Sequence, residues 1–165
     1  MNLNNSISAL ALTATLCGIA AAQSGAAVKH IQSGTAAIAS AVWVGDTLYV
    51  SGQLPSPVTP ADRERGTAAV WGDTRTQAAS VFGKIEALLK AQGLGMSDVV
   101  MMHVYLVGDP ANGGKLDFAG MNAAFRQFFG TAEQPNKPAR SAMQVAALVV
   151  PGPLLEVEVI AVKSK

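Results

Sequence analysis

Residues 137–165 read KPARSAMQVAALVVPGPLLEVEVIAVKSK, and this C-terminal stretch combines a strand-like pattern with charge. From residue 154 onward apolar side chains alternate with acidic ones, and successive strand side chains point to opposite faces. One face carries Leu155, Val157 and Val159. The other carries Glu156 and Glu158. The pattern predicts a half-buried strand with an acidic face.

A second alternating set precedes this strand and consists of Arg140, Ala142, Gln144 and Ala146. Pro151-Gly152-Pro153 interrupts the run as a turn does, so the sequence predicts an antiparallel hairpin. In a regular hairpin, Arg140 lies about eight residues, or roughly 26 Å, from the position opposite Glu156. A simple ion pair between them within one chain is therefore not expected. A bulge, a bend or a neighbouring subunit would be needed to bring them together.

The composition is that of one globular domain with little charge. The chain has 165 residues, of which 14% are charged, and a formal net charge of +1. This length is sufficient for a single domain to bury an adequate core. The low charge gives no electrostatic footprint for nucleic acid or an anionic membrane, so we expect neither as a partner. One cysteine excludes an intrachain disulfide.

The N-terminus resembles a secretory signal. Residues 7–22 form an apolar run that ends in three alanines before Gln23, which is typical of a signal-peptidase site. We therefore predict a signal peptide at 1–22, a mature chain that begins near Gln23, and a periplasmic or secreted location. The absence of Lys and Arg from residues 1–8 leaves a disordered or helical tail as the alternative.

The next part of the chain predicts a mobile lead-in, a hairpin, a loop and a helix. Residues 23–35 are small and polar, which favours a flexible lead-in. The short runs 41–44 and 47–53 flank a Gly-Asp pair and predict a hairpin. After a loop, Asp73 or Thr74 is expected to cap a helix that ends at Ala91.

The remaining pattern predicts a central strand, a second helix and the two C-terminal strands. Residues 98–107 are apolar on both faces, as in a central strand. One face is expected to carry Val100, Met102, Val104 and Leu106. The helix predicted at 116–129 is expected to direct Phe118, Met121, Phe125, Phe128 and Phe129 toward the core. The order β-β-α-β-α-β-β predicts one α+β domain, a mixed sheet with two helices on one face.

Four short pieces occur in the same order as in a known family. They are Tyr49-Val50-Ser51-Gly52-Gln53, Asp98-Val99-Val100 with Tyr105-Leu106, Met121-Asn122-Ala123-Ala124-Phe125 with Phe128-Phe129, and Pro138-Ala139-Arg140 followed by the run from Glu156 to Ala161. Together they resemble the Rid family of reactive intermediate deaminases, also called the YjgF or UK114 family, over about residues 28–162. The resemblance implies a Rid-like domain at 36–165, with a chorismate-mutase-like fold and a homotrimer that has clefts between subunits.

The resemblance also implies roles for individual residues. Arg140 is expected to bind the carboxylate of a 2-imino or 2-keto acid, and Glu156 to position or activate water. Asn122, Ser51 and Gly52 match positions that line the cleft. From the residues alone, a structural salt bridge is the favoured interpretation of Arg140, and it is the resemblance that reverses this preference. The favoured interpretation of Glu158 is a solvated strand face.

Two positions depart from the family pattern. A Pro-Tyr pair in the family, whose tyrosine lines the cleft, corresponds here to Ala37 and Ile38, so that hydroxyl is missing from the substrate-binding set. Ala142 stands where many members have Cys. These departures bear on substrate range and on activity.

The resulting hypothesis is an enamine/imine deaminase that hydrolyses 2-imino acids to 2-keto acids and ammonia without a cofactor. The alternative is a noncatalytic trimer that binds small carboxylate metabolites, and an endoribonuclease is disfavoured because no basic groove is visible. His30 and His103 are far apart in sequence and have no metal-ligand spacing, so no metal site is predicted.

Overall fold

The computed structural model describes residues 25–164. Six strands and two helices make up the domain: β1 (Val28–Ile31), β2 (Ala41–Val44), β3 (Thr47–Gln53), α1 (Thr74–Ala91), β4 (Val99–Leu106), α2 (Phe118–Phe128), β5 (Ala139–Gln144) and β6 (Leu155–Val162). The predicted signal peptide at 1–22 lies outside the described residues. Within residues 25–164, neither helix is long and apolar enough to cross a bilayer.

The six strands form one mixed sheet in the order β1-β2-β3-β6-β4-β5. All neighbours are antiparallel except β4 and β5, which are parallel and are connected through α2. The alternate buried side chains of the strands pack with α1 and α2 in one core. The predicted α+β domain with both helices on one sheet face is therefore confirmed.

The predicted C-terminal hairpin is wrong. β5 and β6 do not pair with each other, because β4 lies between them. The connection between them contains Pro151 and Pro153, which have no N–H to donate to a ladder. β6 instead pairs with β3 along one edge and with β4 along the other, so it is an inner strand of the sheet. The hairpin spacing estimated between Arg140 and Glu156 consequently does not apply.

The segment predicted to be a flexible lead-in contains a strand. β1 pairs antiparallel with β2, with Val28 opposite Val44 and Ile31 opposite Ala41. The hairpin of β2 and β3 leaves one edge of β2 with free backbone groups, and β1 satisfies them. Its side chains are mostly exposed. A four-residue strand with little burial has only a weak apolar pattern, and this is why the sequence did not indicate it.

The first helix follows its prediction closely. Asp73 is the N-cap, and its carboxylate accepts a hydrogen bond from the backbone N–H of Thr76 at 2.8 Å. Hydrogen bonds from the side chain and the backbone of Thr76 lower the pKa of Asp73 below its ordinary value. The buried face of α1 includes Phe82, whose ring contacts the rings of Phe125 and Phe129 at the centre of the core.

Two side-chain orientations differ from the prediction. A bulge between Val99 and Met101 reverses the start of β4, so Val99 is buried and Val100 is exposed. Phe118, at the first position of α2, is 46% exposed rather than in the core. The remaining predicted core positions of β4, from Met102 onward, are buried as expected.

Candidate functional site

Paired strand residues share a face of the sheet, and this register separates the two main candidate residues. Arg140 on β5 pairs with Met102 on β4, which in turn pairs with Val159 on β6. These positions lie on the face covered by the helices. Glu156 pairs with Tyr105 and lies on the open face, which no helix of the described chain covers. One chain therefore places Arg140 and Glu156 on opposite faces, two strands apart.

Arg140 is held by α2 through three kinds of contact. Its Nη2 donates a 2.8 Å hydrogen bond to Asn122 Oδ1, and Nη1 lies 3.7 Å from the sulfur of Met121. The guanidinium lies 4.4 Å from the ring centre of Phe125 and 5.6 Å from that of Phe118. Such ring faces favour a nearby cation. We call Arg140, Asn122 and Phe125 the arginine site.

No carboxylate of the described residues forms an ion pair with Arg140. Within residues 25–164, the ion pairs join Arg65 to Asp62 and His103 to Glu158, and neither involves Arg140. Partial burial lowers the pKa of Arg140 below its ordinary value, but a guanidinium stays protonated in proteins. The structural salt bridge is thus absent from the described chain. A cationic fork with unused donors is suited to an external carboxylate.

Glu156 packs against the backbone of β3. A Cβ atom added at Gly52 would overlap Oε1 and Cδ of Glu156, so the close approach depends on glycine at that position. The register of β3 with β6 shifts between Val50 and Gln53, which places Ser51 and Gly52 in an irregular stretch. Ser51 Oγ donates to the carbonyl of Ala39 at 2.7 Å. We call Glu156, Gly52 and Ser51 the glutamate site.

Ile38 lies one residue before the backbone group that Ser51 contacts. Its side chain is 68% exposed and apolar. The family resemblance predicts that this position lines the cleft. The structure places it in the segment that leads to β2, next to the glutamate site. It contributes no hydrogen-bonding group there.

A hydrogen-bonded cluster on the open face was not predicted. Glu158 Oε1 accepts hydrogen bonds from the hydroxyl of Tyr105 at 3.0 Å and from Nδ1 of His103 at 2.9 Å. The hydrogen bond to Glu158, aided by burial and by the charges of Glu158 and Glu156, raises the pKa of Tyr105 above its ordinary value. Glu158 is therefore not a purely solvated side chain. The signal in the sequence was the i, i+2 spacing of His103 and Tyr105 on a strand next to two glutamates.

Two depressions accompany these features. A small one of about 250 Å³ on the open face is lined in part by Tyr49, Ser51, His103 and Glu158. A larger groove of about 820 Å³ runs between α1, the end of α2 and the segment before β4, and none of the candidate residues lines it. The described residues contain no group of three potential metal ligands.

Each chain carries the arginine site and the glutamate site at separate places on the sheet. The structure brings Arg140 and Asn122 together, and it brings Glu156 against Gly52, the residue that follows Ser51. It does not bring these two groups to each other. A small ligand that contacts both would have to lie between two copies of the chain.

The comparisons with known proteins establish the family of the chain. The family described as Endoribonuclease L-PSP matches residues 30–163, which is most of the chain. The chain belongs to this family, the Rid or YjgF/UK114 family. A RutC family protein from Haemophilus influenzae is 36% identical over 140 residues, covering 82% of this chain and 96% of the relative. A 2-iminobutanoate/2-iminopropanoate deaminase from Dermatophagoides farinae is 34% identical over 108 residues, covering 66% of this chain and 72% of the relative.

Solved structures of the Rid family share the fold. The structure of Rv2704 from Mycobacterium tuberculosis, a member of the YjgF/YER057c/UK114 family, has a TM-score of 0.60 and 25% identity. It covers 83% of this chain and all (100%) of that one. The structure of E. coli TdcF with bound serine has a TM-score of 0.62 and 29% identity, covering 82% of this chain and 99% of that one.

Gly52→Ala is expected to reduce function without reducing stability much. The added methyl group must push the carboxylate of Glu156 aside, and the end of that side chain can move at little energetic cost. If Glu156 orients the reacting water, kcat should fall roughly tenfold or more, as expected for a misplaced catalytic group. Steady-state kinetics and thermal unfolding of the same sample measure both effects.

Gly83→Ala provides a matched control. Gly83 lies within α1, and an added Cβ there meets no atom within 4 Å. This substitution should raise stability by about 0.5–1 kcal/mol and leave kcat unchanged. Equal kinetics for the two variants would contradict the placement of Glu156 in the reaction.

Proposed function

We propose that this protein is an imine deaminase that hydrolyses 2-imino acids to 2-keto acids and ammonia. The observation that carries the proposal is the guanidinium of Arg140, which forms no ion pair among residues 25–164 and is held by Asn122 and Phe125 in a position suited to a carboxylate. The family membership supports it, because a relative at 34% identity is named 2-iminobutanoate/2-iminopropanoate deaminase. The reaction requires no cofactor, since water and a polarised C=N bond suffice.

The proposed mechanism uses one residue from each site. Arg140 binds the carboxylate of the imino acid with parallel N–H donors. Glu156 accepts a hydrogen bond from a water molecule and directs its oxygen at the C=N carbon. The C–O bond forms as Glu156 takes a proton from the water. That proton is then delivered to nitrogen, which gives a carbinolamine. The remaining hydroxyl proton moves to the same nitrogen as the C=O bond forms and the C–N bond breaks, and 2-keto acid and ammonia leave.

The proposed functional unit is a homotrimer whose clefts lie between neighbouring chains. The opposite orientations of Arg140 and Glu156 support it, because a closed ring can place one chain's arginine site beside its neighbour's glutamate site. The open face supports it too. This face exposes Val28, Val44, Tyr49 and Met143, with exposed fractions from 37% to 58%. Apolar patches of this kind mark association surfaces.

The direct test is hydrolysis of freshly generated imino acid. An amino-acid oxidase produces 2-iminopropionate or 2-iminobutyrate in place, and the release of ammonia is followed with and without the purified protein. We expect release faster than spontaneous hydrolysis and in proportion to protein concentration. No acceleration with any 2-imino acid tried would reject the deaminase.

A noncatalytic trimer that binds small carboxylates is the second candidate. The exposed Ile38, where the family places a tyrosine hydroxyl, favours it. E. coli TdcF was solved with bound serine, so a relative binds a small amino acid. Calorimetric binding of 2-keto acids without accelerated imine hydrolysis would support this candidate. A net charge of +1 favours neither polyanion binding nor the nuclease function in the family description.

We also propose that the protein acts outside the cytoplasm, after cleavage of residues 1–22. The apolar run that ends in three alanines supports this location. Protein isolated from cells should begin near Gln23, and N-terminal sequencing that finds Met1 would reject secretion.

A further inference from the structure

Gln77 is a buried polar side chain that connects three separate segments of the chain. It lies on the inward face of α1 and is only 1% exposed. Its Nε2 donates to the carbonyl of Gly72 at 3.0 Å, and its Oε1 accepts from the backbone N–H of Leu154 at 2.8 Å. Both ends of the amide are therefore satisfied, as a buried polar group requires. One side chain thus ties α1 to the turn before it and to the residue that precedes β6.

The start of β6 is paired on one edge: Leu155 pairs with Leu106 of β4, whereas the register with β3 begins at Val157. The ten residues between β5 and β6 form no strand or helix, so no tight turn sets where β6 begins. Leu154 is fixed on its other side by its carbonyl, which accepts from the N–H of Val107 at 3.0 Å. The ring of Trp71 lies against Gly152, so the loop before β6 also contacts the segment before α1. Gln77 is the side chain that directly holds the backbone at this point.

The position of Glu156 depends on where β6 begins, because Glu156 follows Leu154 by two residues. A shift of one residue would transfer every β6 side chain to the opposite face. A smaller shift would leave the face unchanged but would move the carboxylate off Gly52, against which it is packed. The arginine site has a different support, since Arg140 is held by Asn122 and Phe125 of α2.

We propose that Gln77 is a positioning residue for Glu156, acting through the backbone of Leu154. It touches no substrate. Its role is to fix the start of β6 so that the Glu156 carboxylate stays against Gly52 at the distance the attacking water requires. The proposal rests on the proposed function for the role of Glu156, but the structural connection from Gln77 to Glu156 can be tested without activity.

Gln77→Leu removes both hydrogen bonds while keeping a buried side chain of similar size. We expect kcat for 2-imino acid hydrolysis to fall roughly tenfold, while KM changes by less than about twofold. We expect kcat to fall while KM stays nearly constant because the orientation of water depends on Glu156, whereas binding of the substrate carboxylate depends on Arg140. Gln92→Leu is the matched control. Gln92 is the C-cap residue of α1, and its side chain accepts one hydrogen bond, at 3.2 Å, from Nε1 of Trp43 on β2.

Gln77→Glu distinguishes positioning from general destabilisation through pH. A protonated carboxyl at this site can donate to the carbonyl of Gly72 and accept from the N–H of Leu154, as the amide does. An ionised carboxylate keeps only the acceptor, and burial raises its pKa. Relative to the native protein, kcat of this variant should therefore recover as the pH falls from about 9 to about 6. The Gln92→Leu variant should show no such recovery.

The backbone amide signals of Gly52 and Glu156 in a ¹⁵N–¹H spectrum supply the test that needs no catalysis. In Gln77→Leu these signals should move, while those of Asn122 and Arg140 stay in place, and Gln92→Leu should move neither pair. If Gln77→Leu leaves Gly52 and Glu156 unmoved, or lowers kcat no more than Gln92→Leu does, the positioning role is wrong. If the native protein shows no hydrolysis but the signals move as expected, the deaminase proposal fails and the connection from Gln77 to Glu156 stands.

Discussion

Replacing Arg140 with alanine should lower kcat/KM for a 2-imino acid by roughly 150-fold, which corresponds to about 3 kcal/mol for two charge-assisted hydrogen bonds. The guanidinium has no carboxylate partner in the described chain, so its charge is available to the substrate. Arg140→Lys keeps the charge but loses the fork, so its kcat/KM should fall between those of the native protein and the alanine variant. Steady-state kinetics, with the imino acid generated in situ, gives kcat/KM for all three proteins.

Arg126→Ala is the control for this substitution. Arg126 lies in the last turn of α2, the helix whose side chains hold Arg140. The side chain of Arg126 is exposed and forms no ion pair within residues 25–164. Its removal should leave kcat/KM unchanged. If Arg140→Ala is as active as Arg126→Ala, the carboxylate of the substrate is bound elsewhere and the arginine site has only a structural role.

Two variants that are each inactive should regain activity when their chains are assembled into mixed trimers. Arg140→Ala removes the carboxylate anchor, and Glu156→Gln removes the proposed base while keeping the side-chain size that packs over Gly52. Each cleft of the proposed trimer takes its arginine site from one chain and its glutamate site from another. After dissociation and random reassembly in equal amounts, about one quarter of the clefts should carry both native residues. Activity should therefore return to about one quarter of the native value.

Each variant taken through the same dissociation and reassembly alone is the control, and should stay inactive. Sedimentation of the mixture establishes the number of chains in the assembly. Activity that remains at the level of the separate variants would contradict a cleft shared between chains. A protein that sediments as a monomer, yet is active, would contradict the proposed assembly as a whole.

Several local features were predictable because their cause lies within a short stretch of sequence. The cap and length of α1 follow from Asp73 and from the spacing of its apolar residues. The buried and exposed faces of β6 follow from the alternation that begins at Leu155. Asn122 and Arg140 were identified by resemblance to the family, and the structure adds that the two side chains contact each other.

Other features were missed because their cause is remote in sequence. The bulge near Met101 reversed two side chains of β4, and a period-of-two pattern does not reveal such an insertion. The cluster of His103, Tyr105 and Glu158 joins residues on two strands that are more than 50 positions apart. Gln77 showed no distinguishing pattern, since its importance arises from the carbonyl of Gly72 and the N–H of Leu154.

The sequence by itself determined that the C-terminal strand is half-buried, that two helices, the first with a predicted cap, pack on a sheet, and that the chain has the features of the Rid family. The tertiary structure alone decided that β6 lies between β3 and β4, which separates Arg140 from Glu156 by face as well as by strand. The physical reason is that side-chain alternation records which residues of one strand share a face. It does not record which strand becomes the neighbour, because that choice depends on the crossover through α2 and on the packing of both helices.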